Sequence, residues 1–285
     1  MIQLLTSHFR TLRVFLVYHK QINQKRNFMR LGFIGTGNIT AAIITGLCTD
    51  STPPGEIWVS PRSKAMSEKL SQIYGCVRPG ETNQAVIDHT DIIFLAFLPG
   101  QEKKILPSLS FREDQVIVTL LAGVPISTIQ PLVAPAREII RAIPLPCTAL
   151  RTGPIVMYPA NKQISEFFSS LGTVIVPDQE KQLEIFSIIT ALMAPFYAMT
   201  HAIVSWGENK GISRELAAQY TGAMFKALSL IVETAPKGDI HPLVVESMTP
   251  GGLNETAMKT ISDQGGFRHL VAALDKVAVK IELSK

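Results

Sequence analysis

The sequence predicts an α/β chain: a doubly wound, mostly parallel sheet followed by an all-helical segment. Three observations carry this expectation. Within Met29 to Ala41, MRLGFIGTGNITA, the apolar run Leu31, Phe33 and Ile34 reads as a buried strand. Gly35-Thr36-Gly37 then turns the chain, and Asn38 to Ile44 begins a helix. Short apolar runs alternate with helical stretches as far as Pro177. Beyond Pro177 the strand signals stop.

Strand, glycine turn and helix in that order place backbone N–H groups, at the positive end of a helix dipole, beside one crevice. Gly35 permits the tight turn, and Gly37 lets a pyrophosphate approach the backbone beside Thr36, Asn38 and Ile39. Thr40 stands where a third glycine would allow close helix–strand packing in G-x-G-x-x-G/A. The turn therefore points to a dinucleotide.

Ile57 to Ser60 reads as the second strand, after a Pro53-Pro54-Gly55 loop, and Lys64 to Tyr74 as a polar helix. In NAD-preferring units an acid near this strand end bonds the ribose 2′-hydroxyl. Here Ser60, Arg62 and Ser63 offer two hydroxyls and a guanidinium, which suits a 2′-phosphate, so NADP(H) is expected over NAD. Asn83 to Asp88 is a short helix, and Ile92 to Phe97 is an uninterrupted apolar run suited to a central parallel strand. Pro99-Gly100 breaks that run, which places Ala96, Phe97 and Pro99 at the strand ends, where open α/β sheets bind ligands. Val116 to Leu120 is a strand running into Leu121-Ala122-Gly123-Val124, and Glu138 to Ala142 another. Ile155 to Met157 and Thr173 to Val176 complete the strands, with Ser165 to Leu171 helical between them.

Gln179 to Thr190, Tyr197 to Lys210, Arg214 to Thr234 and the stretch from Leu253 onward read as helices. The expected organisation is a tail at 1–28, a dinucleotide-binding domain at 29–177 and a helical domain at 178–285. Ile185 to Gly207 holds no Asp, Glu, Lys or Arg and has the length of a membrane span. Pro195 interrupts it, and Thr190, Thr200, His201 and Ser205 dilute it, so a subunit interface is expected rather than a bilayer. His201 reads as a satisfied core histidine and His241, before Pro242, as a loop residue.

Over 285 residues, 46% hydrophobic and 18% charged content describes a well-buried globular protein. The formal charge of +4 is concentrated at the start: residues 1–28 carry +5 and the remainder −1, so no basic face for nucleic acid is implied. That acid-free tail reads either as an organellar transit peptide or as an over-extended gene start before Met29. The second is favoured, and with it the cytoplasm. Cys48, Cys76 and Cys147 fit no zinc spacing and suit a reducing compartment. No Ser-His-Asp arrangement, metal spacing or P-loop is present in the sequence.

Taken together, GFIGTGNITAAI, VSPRS, Asn83, IIFLAF with Pro99, LLAGVPI, Arg141-Ala142-Ile143-Pro144, ISRELA, His241-Pro242, TPGG and GGFR resemble the pyrroline-5-carboxylate reductase family in type and order. The resemblance runs from Met29 to about Val279. It implies a Rossmann-type NADP-binding domain followed by an all-helical dimerisation domain, a homodimer or larger homo-oligomer, and reduction of a cyclic imine acid to proline with NAD(P)H. Gly35, Gly37, Asn38, Ile39, Ser60, Arg62, Ser63, Asn83, Ala122 and Gly123 match the family's cofactor side, while Leu98 replaces a lysine before Pro99.

The substrate side departs further. Met193-Ala194-Pro195-Phe196-Tyr197 is shorter than the family's serine- and glycine-rich loop, and Leu145 replaces an asparagine. Thr249 keeps a hydroxyl before Pro250, and Asn254 puts an amide where the family's hydroxyl contacts the imine nitrogen. Thr249 and Asn254 are thus the candidate catalytic residues. Gly251, Gly252, Leu253 and Asn254 are the candidate substrate cradle, through backbone N–H groups that open a helix. Both Thr249 and Asn254 also suit a plain helix cap. Met193, Leu145, Phe196 and Leu253 make these positions more apolar than the family's. Three functions follow: a pyrroline-5-carboxylate reductase, an imine reductase for a less polar substrate, and a catalytically silent NADP-binding protein.

Overall fold

The computed structural model describes residues 30–50 and 55–282, so the reading of residues 1–28 lies outside it. The chain divides into two compact units, one ending at Glu184 and the other beginning at Ile185. In the first, β1 (Arg30–Ile34), β2 (Glu56–Val59), β3 (Val77–Pro79), β4 (Ile92–Leu95), β5 (Val116–Thr119), β6 (Glu138–Pro144), β7 (Pro154–Tyr158) and β8 (Thr173–Ile175) form one sheet. Its order is β3-β2-β1-β4-β5-β6-β7-β8. All neighbours are parallel except β6 and β7. The strand order reverses between β1 and β4, as a doubly wound sheet requires. Helices α1 (Asn38–Cys48), α2 (Lys64–Ile73), α3 (Asn83–Asp88), α4 (Glu102–Ile105), α5 (Ile126–Ile129) and α6 (Lys162–Ser169) connect the strands.

The central strands are apolar on both faces because both faces are covered. On β4, Ile92 and Phe94 join one buried cluster while Ile93 and Leu95 join another, the period-two split of a strand packed on each side. Phe94 stacks on Phe33 of β1 with ring centroids 4.5 Å apart and meets Phe167 and Phe168 of α6. β3 carries no apolar signal in the sequence. It is three residues at the edge of the sheet, where Pro79 removes no needed donor. β7 turns back antiparallel after the helical turn Pro146–Leu150 and the left-handed Arg151, a reversal the residue pattern does not announce.

The second unit holds helices and connecting turns, with no strand among its described residues. It comprises most of α7 (Gln182–Thr190), then α8 (Met193–Asn209), α9 (Arg214–Glu233), α10 (His241–Glu246), α11 (Leu253–Asp263) and α12 (Gly266–Glu282). Met193 to Tyr197, expected as a loop, is the first turn of α8. Pro195 is tolerated there because first-turn N–H groups have no helical acceptor. His241 opens α10 rather than lying in a loop. His201 is exposed on α8, with Arg214 Nη2 3.2 Å from its Nδ1, so it is not a core histidine of this chain. Within the unit α8 meets α9 through Phe196 and Phe225, ring centroids 5.6 Å apart, and through Arg214 and Glu208 at 2.8 Å. Trp206 of α8 is 65% exposed and Tyr220 of α9 72% exposed.

One buried cation ties several elements of the first unit together. Arg141 of β6 is 2% exposed, with Nη1 3.4 Å from Glu180 and Nη2 3.3 Å from Glu184. Glu180 also accepts the Ile126 N–H at 2.8 Å, so one carboxylate holds both β6 and the start of α5. Removing one partner of such a pair leaves a charge buried without its counterion, which costs far more than the pair contributes.

Candidate functional site

Because β1 to β6 are parallel, their C-terminal ends share one edge of the sheet, and the candidate cofactor residues line that edge in sheet order. Asn83 follows β3. Ser60, Arg62 and Ser63 follow β2. Gly35 to Ile39 follow β1, Ala96 to Pro99 follow β4, and Ala122 with Gly123 follow β5. The sequence scatters them over 89 positions, from Gly35 to Gly123; the winding brings them to one side.

The glycine turn is built from buried polar contacts. Gly35 has φ of 108°, and a Cβ there would overlap the Ala96 carbonyl of the chain leaving β4. Its N–H donates to Ser60 Oγ at 2.9 Å, Thr36 Oγ1 donates to the Ser60 carbonyl at 2.9 Å, and Thr40 Oγ1 donates to the Gly35 carbonyl at 2.7 Å. Thr40 therefore does at the third position what a glycine would not: it closes the turn onto its own helix. The first helical bond of α1 is Ala41 N–H to Gly37 O at 3.0 Å, so the N–H groups of residues 38–40 precede the ladder. Gly37 and Asn38 are exposed, and nothing lies within 4 Å of a Cβ built on Gly37. An anion can approach the helix start at Gly37 and Asn38.

Ser60 was expected beside a 2′-phosphate. Instead it is 1% exposed and its hydroxyl faces the glycine turn, because a buried hydroxyl takes the nearest unmatched donor. Arg62 and Ser63 remain exposed. Arg62 Nη1 donates to Gln101 Oε1 at 2.7 Å, joining the loop after β2 to the loop after β4. Gln101 carries no sequence signal, since only the sheet order makes it a neighbour of Arg62. Asn83 and the backbone at Ala96 and Phe97 are half-buried, while Pro99, Ala122 and Gly123 are exposed. Leu98 is 70% exposed where the resembling family has a lysine.

In the second unit the TPGG stretch does open a helix. Gly251 has φ of 73° and Gly252 is the N-cap of α11, its N–H donating to the Thr249 carbonyl at 2.8 Å. The Gly251 N–H already has an acceptor, Glu255 Oε2 at 2.6 Å, and Glu255 Oε1 lies 2.9 Å from Lys259 Nζ. These contacts, the Lys259 hydrogen bond foremost, hold the Glu255 carboxyl below its ordinary range. Asn254 Nδ2 donates to the Ser247 carbonyl at 2.9 Å. Of the expected cradle, then, Gly251 and Gly252 are engaged within the turn, and the backbone N–H groups of Leu253 and Asn254 are those at the start of α11. Thr249 is exposed and contributes its carbonyl to the turn. No cluster of His, Cys, Asp or Glu among the described residues could hold a metal ion.

A family model described as NADP oxidoreductase, coenzyme F420-dependent, matches residues 30–123. One described as pyrroline-5-carboxylate reductase dimerisation matches residues 180–282. The pyrroline-5-carboxylate reductase of Pseudomonas aeruginosa is 28% identical over 258 residues, covering 85% of this chain and 91% of its own. The Escherichia coli enzyme of the same name is 27% identical over 273 residues, covering 90% and 98%. The chain thus carries a match to the dimerisation module of the pyrroline-5-carboxylate reductases and is similar to enzymes of that name over most of its length. Its fold is that of the solved family structures. The Coxiella burnetii protein has a TM-score of 0.75 at 24% identity, covering 90% of this chain and 98% of that one. The Plasmodium falciparum protein, solved with NADP bound, gives 0.77 at 18% over the same shares. The stretch from Gln182 to Asn209 is long and apolar enough to cross a membrane by length and composition, yet it lies within the dimerisation match.

The bracing contact is testable without any ligand. Ser60→Ala leaves the half-buried Gly35 N–H without its acceptor and should cost about 1 kcal/mol of folding stability. Chemical denaturation of the ligand-free protein measures it; an unchanged midpoint and slope would mean that Ser60 does not brace the turn.

Proposed function

We propose that the protein reduces pyrroline-5-carboxylate to proline with NADPH. The observation that carries this is a braced glycine turn with an arginine at the end of β2, in a chain that matches the dimerisation module of the pyrroline-5-carboxylate reductases. The residues present fit the cofactor. The open N–H groups of α1 face outward for a pyrophosphate, and Arg62, held by Gln101, supplies the fork a 2′-phosphate requires. When bound, the cofactor supplies the hydride. The protein's part is to bind, orient and exclude water, and no ionised side chain is needed if the imine arrives protonated. The start of α11, at Leu253 and Asn254, suits the substrate carboxylate.

A second reading rests on Glu255. Its carboxylate sits on the Gly251 N–H, and Leu253 beside it is 91% exposed, which favours an imine lacking a carboxylate. Steady-state oxidation of NADPH with pyrroline-5-carboxylate, against a panel of cyclic imines with and without a carboxylate, separates the two. NADPH binding with no turnover of any imine would return the silent reading.

We further propose that the assembly is a homodimer or a larger homo-oligomer. The exposed apolar residues of α8 and α9 support it, as does the dimerisation match. Sedimentation at micromolar concentration should show no stable folded monomer; a monomer would overturn the proposal.

Cofactor choice should depend on Arg62 and its amide partner. Arg62→Ala should weaken NADPH binding by about 1.5–3 kcal/mol and leave NADH nearly unaffected. Gln101→Glu should act in the same direction, because a carboxylate on Arg62 competes with the 2′-phosphate. Equal losses for both cofactors would remove Arg62 from the 2′-phosphate site.

On the substrate side, Glu255→Ala frees the Gly251 N–H and removes a negative charge. It should lower the KM for pyrroline-5-carboxylate several-fold, in the range of one hydrogen bond to an ion. Asn254→Ala should reduce kcat/KM about tenfold with NADPH affinity intact. A rise in KM on removing Glu255 would show that the carboxylate supports the turn rather than competing for it.

A further inference from the structure

We propose that Cys48 and Cys76 are a peroxide-responsive dithiol whose disulfide staples the far end of α1 to the edge of the sheet. The two residues are 28 apart in the sequence, yet their Sγ atoms lie 3.3 Å apart in hydrogen-bond contact. Cys48 is the last residue of α1. Cys76 precedes β3, and its carbonyl accepts the Ile57 N–H at 2.9 Å, which ties it to β2. Both side chains pack against the core while remaining half-buried, so a small oxidant can reach them.

The environment assigns the two sulfurs different roles. The hydrogen bond from Cys48 brings the Cys76 thiol down to about 7, with its own backbone bond and Arg78 assisting against burial. Cys48 is pushed upward by the same contact, by burial and by the neighbouring thiolate. Cys76 is therefore the sulfur that reacts, and Cys48 the one that resolves. The Cys76 thiolate attacks one oxygen of hydrogen peroxide; the O–O bond breaks, leaving a sulfenic acid and hydroxide, which takes up a proton to become water. The Cys48 sulfur then attacks the sulfenyl sulfur, the S–O bond breaks, and the departing hydroxide leaves as a second water with the Cys48 proton. Two thiols lose two electrons and peroxide gains them.

The cross-link lies at the opposite end of α1 from the glycine turn, about 16 Å away for a helix of this length. It joins α1 to the pair β2–β3, and Ser60 and Arg62 follow β2. A staple there restrains the unfolded chain without occupying the crevice. It should therefore protect the first unit under oxidation and leave the crevice open.

The test uses the full-length reduced protein, exposed to hydrogen peroxide and then alkylated and mapped by mass spectrometry. The expected result is a reducible link between the Cys48 and Cys76 peptides, with Cys147 still alkylated. The melting temperature should rise by at least ~4 °C and NADPH affinity should not change. Cys48→Ser, whose hydroxyl can still donate to the Cys76 sulfur, should stop at a Cys76 sulfenic acid that dimedone traps, and Cys76→Ala should leave Cys48 a thiol. Alkylation of Cys76 in the wild-type protein should accelerate as pH rises through about 7. Peroxide that leaves both thiols alkylatable, or that oxidises Cys147 first, would overturn the proposal. A disulfide that forms without raising the melting temperature would overturn the staple.

Discussion

The hydrogen bond from the Gly35 N–H to Ser60 Oγ is the contact on which the first unit's chemistry depends. It joins the end of β1 to the end of β2, so the position of α1 is set relative to the loop that carries Arg62. Thr36 and Thr40 close the same knot from the other side, one onto the Ser60 carbonyl and one onto the Gly35 carbonyl. All three side chains are buried, and each is satisfied inside the turn. The polar groups that hold the turn are thus separated from those left to a ligand. A turn that relied on its ligand for those bonds would be disordered without it; this one is complete beforehand, which reduces the ordering cost of binding.

What the sequence made legible follows the length scale of each signal. The apolar runs of β1, β4 and β5 and the glycine turn are local, and the residue pattern locates them within a residue or two. β3 escaped because an edge strand of three residues needs no apolar run, and α4 and α5 because a single turn has no period to read. Ser60 was picked out by position, but its role depends on where its hydroxyl turns, which is set by an N–H 25 residues away. Gln101 and Glu180 were invisible for a related reason. Their partners, Arg62 and Arg141, are 39 residues distant in each case, so neither contact leaves a local trace.

In the second unit the charge-free run from Ile185 to Gly207 has two physical readings in the sequence, membrane span or buried subunit interface. The structure places much of it on the surface of the single chain, as exposed Trp206, Tyr197 and Ile185 attest. A solvent-facing stripe of that kind needs a covering partner, and a segment matching a dimerisation module identifies the kind of surface it is. The departure of His201 from the core has the same origin: a helix apolar on most sides does not declare which side faces its own chain.

α1 and α11 each begin at a glycine turn, and they treat the positive end of the dipole differently. α1 has no acid in its first turn and no side-chain cap, so its leading N–H groups stay open. α11 has Glu255 in its first turn, and that carboxylate reaches back to the Gly251 N–H while Lys259 holds it from the other side. The electrostatics are the same at both ends. What differs is whether the chain carries its own anion within reach. At α1 the chain supplies no anion of its own. At α11 that place is partly filled, so an incoming carboxylate must either displace Glu255 or use the N–H groups beyond it. Glu255 thereby supplies at α11 the negative charge that α1 lacks.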